Sequence, residues 1–213
     1  LLALPYIISK RPDWDKFPGA HYSLGTDTLL PSGRALQVAT FHQYMDNFAK
    51  VYDVTYETET GEHKYVQQTT DGMSERLLGA ILAIHGDEKG LVLPPAVAPI
   101  QAVIVPILEK GRQEEILQEA QKLLLELRQV MRVRLDDRDL RPGEKFYYWE
   151  ARGVPLRVEL GPKDLAKNAV TVVRRDTGQK RDLPRGGLPD RLRRRCSRRT
   201  RSRSRPSARP RTG

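Results

Sequence analysis

The chain has 213 residues and a mass of 24.3 kDa, enough for one large domain or two small ones. Apolar residues make up 38% at a mean hydropathy of -0.57, no apolar run approaches the ~18–20 residues of a bilayer span, and a single cysteine, Cys196, excludes an internal disulfide framework or a Cys-rich zinc site. The net charge of +10 points to nucleic acid until it is located: residues 181–213 carry 13 arginines against Asp182 and Asp190, a charge of +11, and residues 1–180 are near neutral with 24 basic and 25 acidic side chains.

LLALPYIISKRPDW, at the N-terminus, has apolar residues but neither a preceding basic region nor a small-residue cleavage site, so it does not read as a signal peptide. A start at Leu1, already in mid-pattern, reads as a piece of something longer, and the cysteine usage suits the cytoplasm. Residues 1–92 read as mixed α/β, with short apolar runs at Ala35–Phe41, Val51–Glu57 and Tyr65–Gln68 separated by turn signals. Ser74 is placed to cap a helix from Glu75 to about His85 that is apolar on nearly every side and therefore expected to be buried. Leu91–Pro99 has three prolines in nine residues and reads as an extended linker, 93–100. Beyond it come a strand at Ala102–Leu108, an amphipathic helix at Gln113–Val130, a short strand at Arg132–Leu135, a helix at Pro142–Arg152, and strands at Val154–Leu160 and Ala169–Arg174. Strands and helices alternating in this way predict a mixed, mostly parallel sheet covered by helices over 101–180. Residues 181–213 have almost no apolar content and are expected to form a disordered tail. Such a tail could bind RNA; richness in Arg, Pro, Ser and Gly without Lys equally suits a GC-rich gene read out of frame, which is the reading we favour.

Two segments carry chemistry. In QVATFHQYMDNF, strict alternation places Gln37, Ala39 and Phe41 on one face and Val38, Thr40 and His42 on the other. Spacing alone makes this a half-exposed strand with a surface histidine. In TTDGMSER, Arg76 leads into the all-apolar helix, where a guanidinium has little purpose unless an anion meets it, assisted by the helix N-terminal amides. No Ser/His/Asp triad, metal-spaced His/Cys cluster or P-loop is present, and His85 and Asp87 read as structural residues closing the helix.

GMSERLLGAILAIHGDEKGLVLPP resembles motif 3 of class II aminoacyl-tRNA synthetases. With KFPGAHY, LQVATFHQYMDNFAK and LDDRDLRPGEKFYYWEARGVPLRVELGPKDL, the chain over residues 1 to about 180 resembles prolyl-tRNA synthetases of the archaeal/eukaryote-like type. The resemblance implies the C-terminal part of an antiparallel-sheet catalytic domain (1–92), then an anticodon-binding domain (101–180). It implies that Arg76 holds the γ-phosphate of ATP, that Gln37 and Thr40 contact the nucleotide, and that His42 lines a proline pocket floored by Thr70 and Gly72. Glu150, Arg157, Lys163 and Asp164 match anticodon contacts, whose chemistry suits the two guanines of a proline anticodon. By themselves Glu150 and Arg157 read as a surface ion pair.

Also implied are ATP with Mg2+, proline and proline transfer RNA as partners, reaction through a prolyl-adenylate, and a homodimeric parent. Motifs 1 and 2 would precede Leu1, so this chain alone is expected to be inactive, and the zinc-bearing C-terminal domain common in this type is missing. Two positions depart from the pattern: Asp71 stands where an aromatic is usual, and Met45 where glycine or arginine is usual. Asp71 and the missing motif 2 favour an alternative, a non-catalytic tRNA-binding paralogue.

Overall fold

In a computed structural model, residues 2–197 are described; of the tail expected over 181–213, with its out-of-frame reading, residues 198–213 lie outside them. The chain divides into two compact units, Leu4–Ile84 and the residues from His85 onward together with the first three.

The first unit is built on an antiparallel sheet of order β1-β2-β3-β6, from β1 (Ile7–Lys10), β2 (Tyr22–Leu29), β3 (Ala35–Met45) and β6 (Gln68–Met73). Between β3 and β6 lie α1 (Asn47–Tyr52) and a hairpin of β4 (Thr55–Glu57) and β5 (His63–Tyr65), so Val51–Glu57, read as one apolar run, is split between a helix and a strand. Helix α2 (Arg76–His85) follows β6. It buries only Ala80, Ile81 and His85, leaving Leu78 62% and Leu82 44% exposed. The expected buried helix is thus apolar all round but packed on one side only among the described residues.

The second unit holds a five-stranded sheet of order β11-β10-β9-β7-β8. Its elements are β7 (Ala102–Pro106), α3 (Gln113–Arg128), β8 (Val133–Leu135), α4 (Pro142–Ala151), β9 (Leu156–Leu160), α5 (Pro162–Ala166), β10 (Ala169–Arg174), β11 (Lys180–Pro184) and α6 (Leu188–Ser197). β7 pairs in parallel with β8 and β9, whereas β10 runs antiparallel to both β9 and β11. The sheet is mixed, but parallel pairings make up only half of it. Alternation sends Ile104, Leu156, Val158, Leu160, Val170 and Val172 to one face, where α3 supplies Ala120, Leu123, Leu124 and Leu127. Val103 and Val105 face the other way, against Trp149 of α4.

Two expectations are corrected here. The Pro-rich segment is not a free linker: Leu91 and Leu93 donate to the carbonyls of Ala151 and Gly153, and Arg132 donates to those of Pro95, Ala96 and Ala98. Asp87 receives both terminal nitrogens of Arg175, itself 8% exposed, while Arg175 Nε donates to the Glu150 carbonyl at 2.8 Å. Gly90 (φ +121°) and Gly153 (φ +71°) lie where a Cβ would meet Ala151 O at 2.6 Å and Leu91 C at 2.8 Å, so the backbones touch closely at both. The compact unit of the structure therefore includes the Pro-rich segment and begins at His85.

Secondly, residues 181–197 are not a tail. Leu183 of β11 and Leu188, Leu192 and Cys196 of α6 enter the same core as α3. The three α6 residues recur every four positions, a helical stripe set among arginines. Burial pushes the Cys196 thiol up to about 11, so at neutral pH it is a core side chain and not a nucleophile.

Candidate functional site

In the first unit the site depends on a β-bulge. β2 and β3 pair with Asp27 opposite Gln37 and Thr26 opposite Ala39, so Val38 is an extra residue. Beyond it Gly25 lies opposite Thr40 and Ser23 opposite His42; across the other edge Thr40 meets Gly72 and His42 meets Thr70. Directly paired residues share a face. The bulge thus brings Gln37 onto the face of Thr40, His42, Thr70 and Gly72, correcting the strict alternation that separated it from them.

Arg11, which sequence reasoning missed, organises one end of this face. Its Nη2 donates to Asp27 Oδ1 at 2.8 Å and Oδ2 at 3.0 Å, and to Gln37 Oε1 at 3.1 Å. The guanidinium lies flat across Gly25, where a Cβ would sit 2.2 Å from Nη2. An isolated glycine within a strand pattern was the available signal. Arg76, exposed at the start of α2, reaches the Gln37 carbonyl with Nη1 at 3.5 Å. His42 has Nδ1 2.7 Å from the Ser23 hydroxyl, which also accepts the Phe17 N–H, so Nε2 is the nitrogen left to meet a ligand. Phe17 and Tyr44 flank the imidazole at ring separations of 5.1 and 6.0 Å.

Asp71 pairs with Phe41, on the opposite face from His42, Thr70 and Gly72. Asp71, which stands where the resemblance expects an aromatic, therefore does not set its charge beside His42, Thr70 and Gly72. Met45 closes β3 at a second bulge with φ +54°, a left-handed backbone that costs a side chain with a Cβ roughly 1 kcal/mol. Met45→Gly is expected to stabilise the chain by about 1 kcal/mol in urea unfolding; a lower midpoint would mean that contacts of the methionine outweigh its backbone strain.

In the second unit the four expected residues gather on the α4 side of the sheet and at the end of β9. Arg157 of β9 donates from Nη1 to Glu150 Oε1 at 2.9 Å and from Nε to Glu159 Oε1 at 3.0 Å, with its guanidinium carbon 3.9 Å from the Phe146 ring centre. Lys180 reaches the other oxygen of Glu159 at 2.8 Å. The Glu150–Arg157 ion pair is therefore present, and it is half-buried and stacked, which fixes the plane of the fork. Asp164 accepts the Gly161 N–H at 2.9 Å, capping α5, and the Thr171 hydroxyl at 2.9 Å, with lone pairs to spare. Thr171 lies opposite Glu159, which links Asp164 to the Arg157 network; Lys163 is exposed on α5. β8 and β9 flank β7 on opposite sides, and open α/β sheets bind ligands outside the carboxyl ends at such a point.

Nearby, Asp136 is 2% exposed. Burial works to raise its pKa, but hydrogen bonds from Arg138 and Trp149 outweigh it and hold the carboxyl below its usual range. It fixes the end of β8 to α4.

Residues 101–195 match the family model described as an anticodon binding domain, which includes β11 and α6 as far as Arg195. The chain is 55% identical over 193 residues to a proline–tRNA ligase of Thermococcus kodakarensis, covering 90% of this chain and 40% of that protein. Proline–tRNA ligases of Pyrococcus horikoshii (57% over 193 residues; 90% and 40%) and Methanocaldococcus jannaschii (52% over 179; 84% and 39%) are similar in the same way. No helix among the described residues is long and apolar enough to cross a membrane. The chain spans about two fifths of the length of the curated relatives it matches, and over that span it is similar to archaeal proline–tRNA ligases and contains an anticodon-binding domain.

Proposed function

We propose that the longer protein to which these two units belong attaches proline to its transfer RNA. The proline carboxylate attacks the α-phosphate of ATP in line, pyrophosphate leaves, and the prolyl group passes to the terminal ribose of the RNA. Such chemistry rests on positioning and charge neutralisation. In this reading Arg76 meets the γ-phosphate, Gln37 and Thr40 hold the nucleotide, and His42 presents Nε2 to proline above Thr70 and Gly72. Glu150, Arg157, Lys163 and Asp164 read the anticodon, and the parent is a cytoplasmic homodimer. The bulge at Val38 carries the reading, because without it Gln37 would face away from Thr40 and His42.

In this reading Mg2+ arrives with ATP and is held chiefly by its phosphates and water rather than by a protein cage; among the described residues no group of three or more His, Cys, Asp or Glu is placed to hold a metal by itself. With Asp71 turned to the other face, the feature of residues 2–197 that favoured a non-catalytic paralogue loses its force.

The test is proline-dependent ATP–pyrophosphate exchange by the full-length parent, with residues 1–213 alone at background. Exchange driven by threonine or glycine instead would sink the assignment. In the same assay Asp71→Tyr is expected to leave the KM for proline within about twofold, since the side chain points away from the pocket; a larger change would return Asp71 to it.

A further inference from the structure

On the α6 side of the sheet the second unit carries a cleft of about 380 Å3 that neither candidate site uses. Its walls include five arginines: Arg174 and Arg181 from the sheet, and Arg191, Arg194 and Arg195 from α6. Thr177, Gln179 and Leu183 complete the lining, with no carboxylate among these residues. Register fixes the side. Arg181 lies opposite Val172, a residue of the α3/α6 core, whereas Arg157 and Lys180 lie opposite Val173. The cleft and the Arg157 network therefore occupy opposite faces.

The stripe of Leu188, Leu192 and Cys196 fixes α6 in rotation and thereby sets its arginines at the cleft. Arg174 is held in place: Nε and Nη2 donate to the two oxygens of Asp176 at 2.9 and 2.6 Å, and Nη1 donates to the Arg195 carbonyl at 3.3 Å. Elsewhere on this unit Arg157 meets Glu150, Arg175 meets Asp87 and Arg185 meets Glu119, as Arg174 meets Asp176 at the cleft. Here Arg181 and Arg191 are exposed around a concave space instead. An anion entering the cleft would meet the exposed forks of Arg181 and Arg191, whose geometry matches phosphate oxygens.

We propose that this cleft binds a short run of phosphate groups, with the Thr177 hydroxyl and the Gln179 amide as neutral donors beside the arginines. Its volume falls in the range of small-ligand sites, enough for a polyphosphate chain or a few consecutive RNA backbone phosphates. The proposal stands apart from anticodon reading, because the cleft is on the other side of the sheet.

The test uses the 213-residue chain with two probes, inorganic tripolyphosphate and a uridylate 20-mer, at fixed salt. Arg181→Gln combined with Arg191→Gln changes two exposed side chains and is expected to weaken at least one probe by about tenfold. A loss confined to the 20-mer, with a salt slope lower by about 2, identifies backbone phosphates as the ligand; a loss for tripolyphosphate identifies free polyphosphate. Deleting residues 198–213 should leave the ratio between wild-type and double-variant affinities unchanged, and Arg157→Ala should leave tripolyphosphate binding unchanged. The proposal is overturned if the double variant alters both probes by less than about twofold, if its effect vanishes with residues 198–213, or if Arg157→Ala weakens tripolyphosphate as much.

Discussion

Arg157→Ala is expected to weaken binding of proline transfer RNA by about 1–3 kcal/mol, and to do so less for an anticodon whose guanines are replaced. The side chain serves the fold as well, so the experiment needs a second arm. Glu159, with a side chain only 4% exposed, would keep Lys180 as its cation but lose the fork, and Glu150 would lose the partner that stacks on Phe146. Breaking such a pair costs up to about 3 kcal/mol of stability. Arg157→Lys keeps the charge and removes the planar two-pronged donor. Discrimination against replaced guanines should therefore fall in Arg157→Lys while its unfolding midpoint stays closer to wild type than that of Arg157→Ala. Equal weakening for every RNA would leave Arg157 as a structural ion pair. The arginine-rich end can be trimmed for this assay only from residue 198, because β11 and α6 belong to the core.

Leu192→Ala should cost about 3 kcal/mol in urea unfolding, the usual result of emptying a fully enclosed leucine site. Leu192 is 0% exposed and packs with Leu188, Cys196 and the leucines of α3. An unfolding curve superimposable on wild type would mean that residues 181–197 lie outside the core after all. No other measurement separates the two views of this segment so widely, since a disordered tail predicts no change at all.

Local patterning was legible where one signal dominated. β10 matches its expected bounds, Ala169–Arg174, because a continuous β-branched run has no competing reading. α3 and α4 lie within two residues of expectation, marked by their apolar stripe and by Pro142 at a helix start. α6 was hidden because three core residues four apart are outnumbered by arginines in any composition window. The clamped Pro-rich segment misled for a different reason: Arg132 and Arg175, which hold its carbonyls and Asp87, are distant in sequence. Of the candidate site, the residue types and their order were readable through family resemblance. Their faces were not. Which side Gln37 or Asp71 takes depends on strand register, and Arg11 reaches Asp27 and Gln37 only because β1 and β3 flank the same strand.

The extra residue at Val38 has a consequence for what this strand can tolerate. Ordinary sheet positions respond to a change of side chain one at a time. Here the interval between Gln37 and Thr40 is odd, and the bulge takes up the surplus residue so that both still face one way. Ironing out the bulge while keeping the residue would present Gln37 to the wrong side and strand Arg11 without its amide partner, whereas deleting Val38 would restore plain alternation with Gln37 still opposite Asp27. The match between chain length and bulge, more than the identity of the residues that fill the interval, is what the arrangement requires.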